Sequence, residues 1–484
     1  MSIAIVWFRQ DLRLSNNPAL SSACNEHDVI IPIYIFDKET SVLGSAHKWW
    51  LYYSLKELNS SLEEDWGLTL NLRSGSSLEI LMGLIKESGA VAVYWNRCYE
   101  PIAIKRDTKI KTTLLEHGVA VHSTNGSLLN EPWNIKNKSG ECFKVFTPFW
   151  KQSLKILTLP KPYLITNRPT NLELQSEALE KWNLLPKKPN WAINFSKYWQ
   201  PGEKGAQEKL KNFIQKKLLS YKNDRNIPIE DGTSKLSPHL HFGEISPWDV
   251  FSHLELLKLD EQSNLTSIDH FLSELGWREF SYHLLYNFPN LPQECFRKEF
   301  EMFPWNSDEK LLDHWRKGET GYPLIDAGMR ELWTTGYMHN RVRMVVASFL
   351  TKDLLIDWRK GADWFLDTLV DADLANNSAS WQWVAGCGAD AAPYFRIFNP
   401  ILQSEKFDSN GDYIRQWVPE LSNVSSQYIH QPWLESSLKT GIKIGKDYPI
   451  PIVDHNEAKK RALKYYDVIK HSRLNTIKDM RDID

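Results

Sequence analysis

The stretch DADLANNSASWQWVAGCGADAAPYFRIFNP, residues 371–400, concentrates carboxylates, adjacent amides and indoles in a short segment. Buried polar groups cost free energy unless they are hydrogen bonded, so this composition is unfavourable for a plain hydrophobic core. It predicts one wall of a pocket for a large planar molecule. Trp381 and Trp383 are two residues apart, which puts them on nearly opposite sides of a helix, and we expect them to have different neighbours.

The composition is that of a soluble globular protein, and 484 residues are enough for two or more domains. The 21 Trp are unusual, and they indicate either stacking and electron-transfer roles or large helical cores. A net charge of −2 gives no global basic field of the kind that nucleic-acid-binding proteins often carry. A local basic face is still compatible with that total.

The cysteines are scattered and show no CxxC or Cys/His metal spacing: Cys24, Cys98, Cys142, Cys295 and Cys387. This predicts a reducing compartment and no metal site. The N-terminus contains Arg9, Asp11 and Arg13 and therefore lacks the apolar region of a signal peptide. Because no apolar run approaches membrane-spanning length, we expect a soluble, cytoplasmic protein with no membrane partner.

The N-terminal residues alternate short β-branched runs with helical segments, one of which opens at Asn17 and Pro18. The predicted strands are Ile3–Phe8, Val29–Phe36, Leu68–Arg73, Val91–Trp95 and Val119–His122. This alternation favours a doubly wound parallel sheet. No GxGxxG follows the first strand, so the dinucleotide fingerprint is absent.

A proline-rich segment, about residues 125–199, predicts a long linker with short ordered pieces. Helical periodicity dominates after it, in Ala206–Leu219, Ile268–Leu285, Leu311–Lys317, Pro323–Thr334 and Met338–Ile356. We therefore predict an α/β N-terminal domain over residues 1–130, a linker over 131–198 and a larger all-α domain over 199–484. The basic run near Lys459 is interpreted as a solvated helix face.

Two predicted helices carry polar side chains at helical spacing. In the first, Asn340, Arg343 and Met344 lie away from an apolar stripe that includes Val342, which suggests a cavity wall. A methionine there can equally be a gap filler in the core.

In the second helix, Glu274, Trp277 and Arg278 share one side. An aromatic ring beside a carboxylate suits a base-like ligand. A surface Glu274–Arg278 ion pair explains the same spacing equally well.

The segment Asp231–Gly243 contains a hydroxyl-rich turn. Its hydroxyls and backbone N–H groups suit phosphate oxygens, but a turn that only caps a helix needs no ligand. His239 and His241 have no third metal ligand nearby in the sequence, so we predict no metal there.

Six segments together resemble the photolyase/cryptochrome family over nearly the whole chain. They are WFRQDLRLSNNPAL (7–20), TSKLSPHLHFGEISP (233–247), ELGWREF (274–280), GYPLIDAGMREL (321–332), MHNRVRM (338–344) and residues 371–400. The resemblance implies an α/β domain, a linker and a helical domain that holds FAD in a U shape. Within the family, the chain is most similar to cyclobutane pyrimidine dimer photolyases of the folate-using kind related to plant cryptochromes.

By this resemblance, FAD is held by Tyr221, Thr233, Ser234, Lys235, Leu236, Ser237, Phe271, Arg343, Asp371, Ala372, Asp373 and Asn377. Arg343 and Asp371 are expected to pair across the isoalloxazine, with Asp373 at its polar edge. Asn377 matches the residue that faces flavin N5, where plant cryptochromes have Asp and insect-type ones Cys. An amide there can accept from N5–H and supports the reduced, repair-active flavin.

The resemblance also implies a substrate, a pyrimidine dimer flipped out of damaged DNA. Its expected catalytic contacts are Glu274, Trp277, Asn340, Met344 and Trp383, together with Asn377. In (6-4) photolyases, which require acid–base catalysis, a similar helix carries His where this chain has Met344. DNA contacts are expected from Arg225, Glu274, Trp277, Arg278, Asn340, Arg341, Gln403 and Lys406.

Trp305, Trp358 and Trp381 match the chain of tryptophans that conducts electrons to photoexcited flavin, although Trp358 is also explained as a helix-end anchor. The segment SAHKWWLYYSL resembles that of folate-using relatives close to plant cryptochromes, which implies methenyltetrahydrofolate as antenna, with contacts at Trp49, Trp50 and Glu100. Deazaflavin, or no antenna, is the alternative. We expect a monomer in the cytosol, associated with the nucleoid when bound to DNA. The competing functions are a cryptochrome photoreceptor without repair activity and a flavin redox enzyme for a small substrate.

Overall fold

The computed structural model describes residues 2–37, 44–259, 264–391 and 395–481, and side chains of the last helix as far as residue 470. The contacts of the chain group it into two compact units. The first unit comprises Met1–Leu219, Ser234–Pro289 and Val370–Asp373, and the second comprises Ser220–Thr233, Asn290–Leu369 and Leu374–Asp484. The domain boundaries expected from composition stay a prediction.

The first unit contains a parallel five-stranded sheet of order β3-β2-β1-β4-β5, which confirms the predicted doubly wound α/β fold. Its strands are β1 Ile3–Phe8, β2 Val29–Phe36, β3 Asn71–Ser74, β4 Ala92–Asn96 and β5 Ala120–Thr124. Inward-facing aliphatic side chains and the edge-on pair of Trp7 and Trp95, 5.7 Å between ring centroids, fill one face. Parallel strands need such apolar runs because helices cover both faces of the sheet.

The third strand begins later than its apolar residues predict. Leu68 N donates to Leu62 O, and Leu70 N donates to Asn59 Oδ1 at 2.8 Å. Through these bonds the backbone N–H groups of Leu68 and Leu70 bind the preceding helix. Pairing with β2 therefore starts only at Asn71.

The helices of the first unit cover the sheet and continue beyond it. They are α1 Pro18–Glu26, α2 Ser45–Trp66, α3 Ser77–Ser88, α4 Pro101–Glu116, α5 Phe146–Ile156, α6 Glu203–Asn212, α8 Ser237–His241, α9 Pro247–Leu257 and α10 Leu265–Asn287. The predicted start of α1 is confirmed, since the Asn17 side chain accepts from Leu20 N and Pro18 is the first helical residue. In the linker, α5 and the 3-10 segments Pro132–Asn134, Leu179–Trp182 and Trp191–Lys197 are the ordered pieces.

The second unit is helical. Its helices are α7 Tyr221–Asp224, α11 Glu309–Lys317, α12 Pro323–Thr335, α13 Asn340–Ser348, α14 Trp358–Thr368, α15 Leu374–Ala385, α16 Pro400–Phe407, α17 Asp412–Trp417, α18 Ser437–Thr440 and α19 His455–Arg481. Short 3-10 segments, Lys298–Met302, Pro419–Leu421 and Pro432–Leu434, connect some of them.

Two long predicted helices are regular α-helix over only part of their predicted length. A π-helical turn, Phe213–Lys217, continues α6, and another, Phe349–Asp353, continues α13. The helix α13 begins at Asn340 because the His339 side chain caps it by accepting from Arg341 N. The basic side chains near Lys459 are exposed on α19, as predicted.

Among the described residues, no helix combines the length and the apolar character that crossing a membrane requires. In the same ranges, no group of three or more His, Cys, Asp or Glu side chains could hold a metal ion.

Candidate functional site

The hydroxyl-rich turn lies at the start of α8 in the first unit. Lys235 has a left-handed backbone, φ 52°, which is uncommon for a residue with a Cβ. Leu236 N donates to Ser234 Oγ at 3.3 Å, and Ser237 Oγ donates to Asp371 Oδ2 at 2.6 Å. The turn therefore gathers hydroxyl donors, an amine and a carboxylate, which is the donor set that the phosphates and sugar hydroxyls of FAD require.

A glycine fixes where this turn meets the rest of the first unit. Gly243 has φ +65°, and an added Cβ would lie 2.1 Å from Gln10 O. Arg13 Nη1 donates to Gly243 O at 2.8 Å, so the N-terminal segment binds the chain that follows α8. Any larger side chain at this position would separate the two segments.

Asp373 is the centre of a buried hydrogen-bond cluster. Its Oδ2 accepts from Tyr282 Oη at 2.5 Å and from His241 Nδ1 at 3.0 Å. Burial acts to raise the pKa of Asp373, but the hydrogen bond and charge of His241 and the bond from Tyr282 outweigh it, and the pKa lies well below its usual range. The carboxylate is therefore ionised at all working pH values.

His47 extends this cluster. Its ring stacks on His241, with centroids 4.6 Å apart and planes 15° apart. Burial and the neighbouring His241 lower the pKa of His47 to about 3. His47 is therefore neutral at neutral pH, and the formal negative charge of the cluster resides on Asp373.

The helix α10 carries the predicted group of Glu274, Trp277 and Arg278. The Trp277 ring stacks on Phe146 of α5, with centroids 3.8 Å apart and planes 9° apart. Glu274 and Trp277 are half-buried. Because Phe146 covers one face of the indole, it fixes the orientation of Trp277 and leaves the rest of the ring for a ligand.

Arg278 is held within the protein. Its Nη1 donates to Ser127 O at 2.8 Å and pairs with Glu279 at 3.0 Å, while Glu279 Oε2 also accepts from Leu129 N at 2.7 Å. The ion pair of Arg278 is thus with Glu279, which differs from the Glu274 pair considered from the sequence. Burial raises the pKa of Glu279 to about 7. These contacts hold the Arg278 guanidinium in place, and its DNA contact stays a prediction.

In the second unit, α13 presents its polar side chains away from the core, as predicted. Val342, on the apolar stripe, is buried, whereas Asn340 is exposed and Met344 half-buried. Arg343 Nε donates to Met338 O at 2.7 Å, and its guanidinium lies 5.0 Å from the Tyr337 ring.

Predicted DNA contacts of the second unit lie close together. Arg341 Nη2 donates to Asn226 Oδ1 at 2.5 Å, and its guanidinium lies 4.5 Å from the Phe407 ring. Lys406 is exposed, with Nζ 5.3 Å from the same ring. Gln403 lies one turn earlier on α16. Arg225, which flanks Asn226, places its guanidinium 5.4 Å from the ring of Tyr221, a predicted flavin contact.

The helices α14 and α15 pack closely through Gly361. A Cβ on Gly361 would lie 2.1 Å from the Trp381 ring, so only glycine allows this approach. Asn377, one turn before Trp381, donates from Nδ2 to Ala362 O at 3.0 Å. This bond uses one of the two amide N–H donors and leaves Oδ1 as the acceptor of the side chain. An acceptor is what the N5–H of reduced flavin needs, so the residues present fit this cofactor.

The tryptophans of the opening stretch have the different surroundings that their spacing predicts. Trp381 is buried between Phe365 and Trp315, with centroid separations of 5.0 and 6.3 Å, whereas Trp383 is half-exposed. Residues 392–394 of this stretch lie outside the described residues.

The other predicted relay residues also belong to the second unit. Trp358 is fully buried at the start of α14. Trp305 is half-buried, with its ring centroid 4.4 Å from that of Phe303.

The predicted antenna contacts have mixed surroundings. Trp50 is fully buried, and its Nε1 donates to Glu244 Oε1 at 2.8 Å, which describes a core residue. Trp49 is buried against Phe195, 5.3 Å between centroids. Glu100 is only half-buried and accepts from Gln10 Nε2 at 3.1 Å. Of the three, Glu100 retains the most accessible surface for a ligand.

Sequence reasoning missed several residues that position the predicted ones. They are Phe146 behind Trp277, His47, His241 and Tyr282 around Asp373, and Phe407 beside Arg341 and Lys406. The aromatic run FTPFW, residues 146–150, was the one available signal for Phe146, since it interrupts an otherwise proline-rich linker.

Comparison with known proteins places these residues in a family context. The family model described as DNA photolyase matches residues 4–166, and that of the FAD binding domain of DNA photolyase matches residues 271–468. A deoxyribodipyrimidine photo-lyase of Agrobacterium fabrum is 50% identical over 96% of this chain and 98% of its own length. Cryptochrome-2 of Arabidopsis thaliana is 37% identical over 95% of this chain and 78% of its own length.

A solved structure extends the similarity to three dimensions. The crystal structure of a bacterial class III photolyase from Agrobacterium tumefaciens matches with a TM-score of 0.93 and 49% identity. The match covers 97% of this chain and 98% of that one.

Proposed function

Because the chain belongs to the photolyase/cryptochrome family, with the FAD-binding domain of DNA photolyases, we propose that it repairs cyclobutane pyrimidine dimers in DNA under light. Its enzyme class is that of deoxyribodipyrimidine photo-lyases. The observation that carries the proposal is the Asn377 amide, whose nitrogen donates to Ala362 O and whose oxygen is left to accept a hydrogen bond from the cofactor. This arrangement supports a reduced, N5-protonated flavin, the form that repair requires.

A bound, reduced FAD would supply the light-driven electron transfer that splits the dimer. The chain supplies positions and charges. Ser234, Lys235 and Ser237 bind phosphate and ribityl oxygens through their hydroxyl and amine groups. The remaining phosphate and ribityl contacts are Tyr221, Thr233 and Leu236.

The ring system of the cofactor is held by a second group of side chains. Asp371, Arg343, Asp373 and the Ala372 backbone would hold the isoalloxazine by polar contacts, and Phe271 would add apolar contact. Because Asp373 stays ionised, it would accept hydrogen bonds from ring N–H groups and orient the ring without exchanging a proton.

The lesion is bound after it flips out of the DNA helix, because no side chain or cofactor reaches it in the base stack. Trp277, held by Phe146, offers an indole face to the dimer, and Trp383 and Met344 offer further apolar contact. Glu274 and Asn340 bond the carbonyl and imide edges of the bases. A damaged, weakly paired site costs less to extrude, which favours lesions over intact DNA.

Phosphates of the damaged strand are bound by Arg225, Arg341, Gln403 and Lys406. The common position of Arg341 and Lys406 at the Phe407 ring supports this assignment. Arg278, bonded to Ser127 O and Glu279, acts as a positioning residue for α10.

Trp381, Trp358 and Trp305 conduct electrons toward oxidised flavin and so restore its reduced form. The antenna is methenyltetrahydrofolate, with Glu100 as its best-placed contact. We also propose a monomer that works in the cytosol on nucleoid DNA.

The test is light-dependent repair by the chemically reduced flavoprotein. Dimer-containing DNA incubated with it under blue or near-UV light should lose its dimers, and the same mixture in the dark should retain them. A protein fully loaded with reduced FAD that leaves dimer content unchanged in the light would instead favour a photoreceptor.

A further inference from the structure

Two neutral side chains of the second unit, Asn226 and Phe407, contact the guanidinium of Arg341, a predicted DNA contact. Arg341 Nη2 donates to Asn226 Oδ1 at 2.5 Å, and the guanidinium carbon lies 4.5 Å from the centroid of the Phe407 ring. Asn226 and Phe407 are both half-buried. Because one contact is a hydrogen bond and the other a cation–π contact, the two together restrict the orientation of the guanidinium.

The amide of Asn226 is itself held by the turn that follows α7. Its Nδ2 donates to Lys222 O at 3.4 Å, and its backbone N donates to Asn223 O at 3.2 Å. The amide oxygen therefore faces Arg341. A neutral amide accepts this bond without adding negative charge, whereas a carboxylate in its place would compete with a phosphate for the guanidinium. An amide is thus the suitable partner for a cation that binds an anion.

The Phe407 ring is shared by a second cation. Lys406 is exposed, and its Nζ lies 5.3 Å from the ring centroid. Two like charges repel each other, and the negative face of an aromatic ring offsets part of that repulsion. Gln403, another predicted phosphate contact, lies one turn before Phe407 on the same side of α16. The ring is therefore placed among three predicted phosphate contacts.

Bonds on both sides of the ring fix the part of α16 that carries it. Ser404 Oγ and His430 Nδ1 are 2.7 Å apart, and both side chains are buried. The carboxylate of Asp408, the residue after Phe407, accepts from Tyr413 N at 3.0 Å. The ring therefore has a rigid support, which a residue that positions charged groups requires.

Arg341 also borders the predicted lesion pocket. Its Nη1 donates to Met344 Sδ at 3.9 Å, one turn later on α13. A guanidinium has several N–H donors, so the contacts with Asn226 and Met344 orient it and are compatible with further bonds to phosphate oxygens. The orientation set by Asn226 and Phe407 thus places the predicted phosphate contact beside the predicted lesion contact.

We propose that Asn226 and Phe407 are positioning residues that hold Arg341 and Lys406 as one clamp for the phosphate backbone of DNA. This inference rests on the DNA-binding part of the proposed function and adds to it the two residues that orient its cations. Phosphate contacts set the register of a protein on DNA and carry no sequence information directly. The clamp therefore contributes equally to the binding of dimer-containing and intact duplexes.

The first test is Asn226→Asp in the full-length flavoprotein, which keeps the shape of the side chain and adds a carboxylate at Arg341. Fluorescence anisotropy measures affinity for one duplex with and without a dimer, at salt concentrations from about 50 to 200 mM. We expect both affinities to fall about tenfold at the lowest salt, as loss of a charge-assisted bond predicts. The slope of log affinity against log salt should flatten by about 0.9, the value of one phosphate contact.

The matched control is Asn223→Asp, which adds the same charge to an exposed side chain of α7. Because a hydrated charge is screened by salt, its effect on affinity should be less than about twofold. Equal losses in the two variants would overturn the proposal, since the effect would then come from net charge and not from the contact with Arg341.

The second test removes the ring face. Phe407→Leu keeps an apolar side chain but loses both cation–π contacts, so both duplexes should bind about fivefold more weakly, whereas Phe407→Tyr should restore wild-type affinity. In repair assays, Phe407→Leu should raise the half-saturating DNA concentration by more than it lowers the rate at saturating DNA. Equal affinity losses in the leucine and tyrosine variants would show a packing role and overturn the clamp.

The clamp and the repair function fail in different ways. If the wild type leaves dimers intact in the light while the variants lose affinity as expected, only the repair function is refuted. If the wild type repairs dimers and Asn226→Asp binds both duplexes as tightly as the wild type, only the clamp is refuted. A loss confined to the dimer-containing duplex also refutes the clamp, because the contact would then belong to the lesion.

Discussion

The two units hold their candidate functional side chains by different means. In the first unit, Asp373 is fixed by hydrogen bonds from Tyr282 and His241, with a neutral His47 stacked behind them. In the second unit, Trp381 is fixed by close packing, because its ring occupies the space that a side chain at position 361 would need. A hydrogen-bonded charge is sensitive to loss of that charge, whereas a packed ring is sensitive to an added methyl group. The difference predicts which substitutions each unit tolerates.

The largest effect is expected from Asp373→Asn. It removes the charge that Tyr282 and His241 are arranged to meet, and breaking such a buried pair costs about 3 kcal/mol of unfolding free energy. Urea denaturation measures this, with Tyr282→Phe, which removes one bond and keeps the charge, as the milder control at about 1.5 kcal/mol. Equal losses in the two variants would mean that the charge of Asp373 contributes nothing beyond one hydrogen bond.

Gly361→Ala should cost about 2 kcal/mol, because its Cβ would meet the Trp381 ring and overpacking of this kind forces side chains and backbone apart. The matched control is Gly83→Ala in α3, where an added Cβ meets nothing within 4 Å. There, alanine should be neutral or stabilising because it favours the helix. The two variants are compared by thermal denaturation, and equal melting temperatures would refute close packing of α14 on α15.

The folding stability of the first unit should depend on pH through His47. Its folded pKa is depressed to about 3, so as pH falls below the ordinary value of about 6.5 the unfolded chain binds a proton that the folded chain does not. Stability is therefore lost toward acid, by about 1.4 kcal/mol at pH 5.5 from this residue. His47→Gln should reduce the loss measured between pH 7 and 5.5 by roughly that amount. An unchanged pH slope would show that His47 is not held neutral.

The smallest effect is expected from Phe146→Ala, which removes the ring behind Trp277. An aromatic pair contributes about 1 kcal/mol beyond its buried area, so affinity for dimer-containing DNA should fall roughly fivefold. Fluorescence anisotropy with damaged and undamaged duplexes measures this, and FAD content should stay unchanged. If affinity for both duplexes falls equally, Phe146 supports the fold and has no specific part in holding Trp277 for the lesion.

The sequence was informative where one residue type determines local structure. The β-branched runs predicted the parallel strands, and Asn17 with Pro18 predicted the start of α1. The spacing of Trp381 and Trp383 predicted their different burial. The predicted start of β3 was wrong because Leu68 and Leu70 bond to α2 instead of pairing with β2. Apolar character alone does not distinguish a residue that packs on a helix end from one that begins a strand.

The partners of the candidate site residues could not be predicted, because they come from distant parts of the chain. Phe146 meets Trp277, and His241 and Tyr282 meet Asp373, only once the chain has folded. Local periodicity predicts which face a side chain is on but not what lies opposite it.

The proposed function is tested most directly by two rates in Trp381→Phe: photoreduction of oxidised FAD and dimer repair by the chemically reduced protein. We predict that photoreduction slows strongly while repair proceeds at the wild-type rate, because the relay restores the cofactor and takes no part in ring splitting. Photoreduction at the wild-type rate, or a parallel loss of repair, would contradict the division of roles between electron relay and lesion contact.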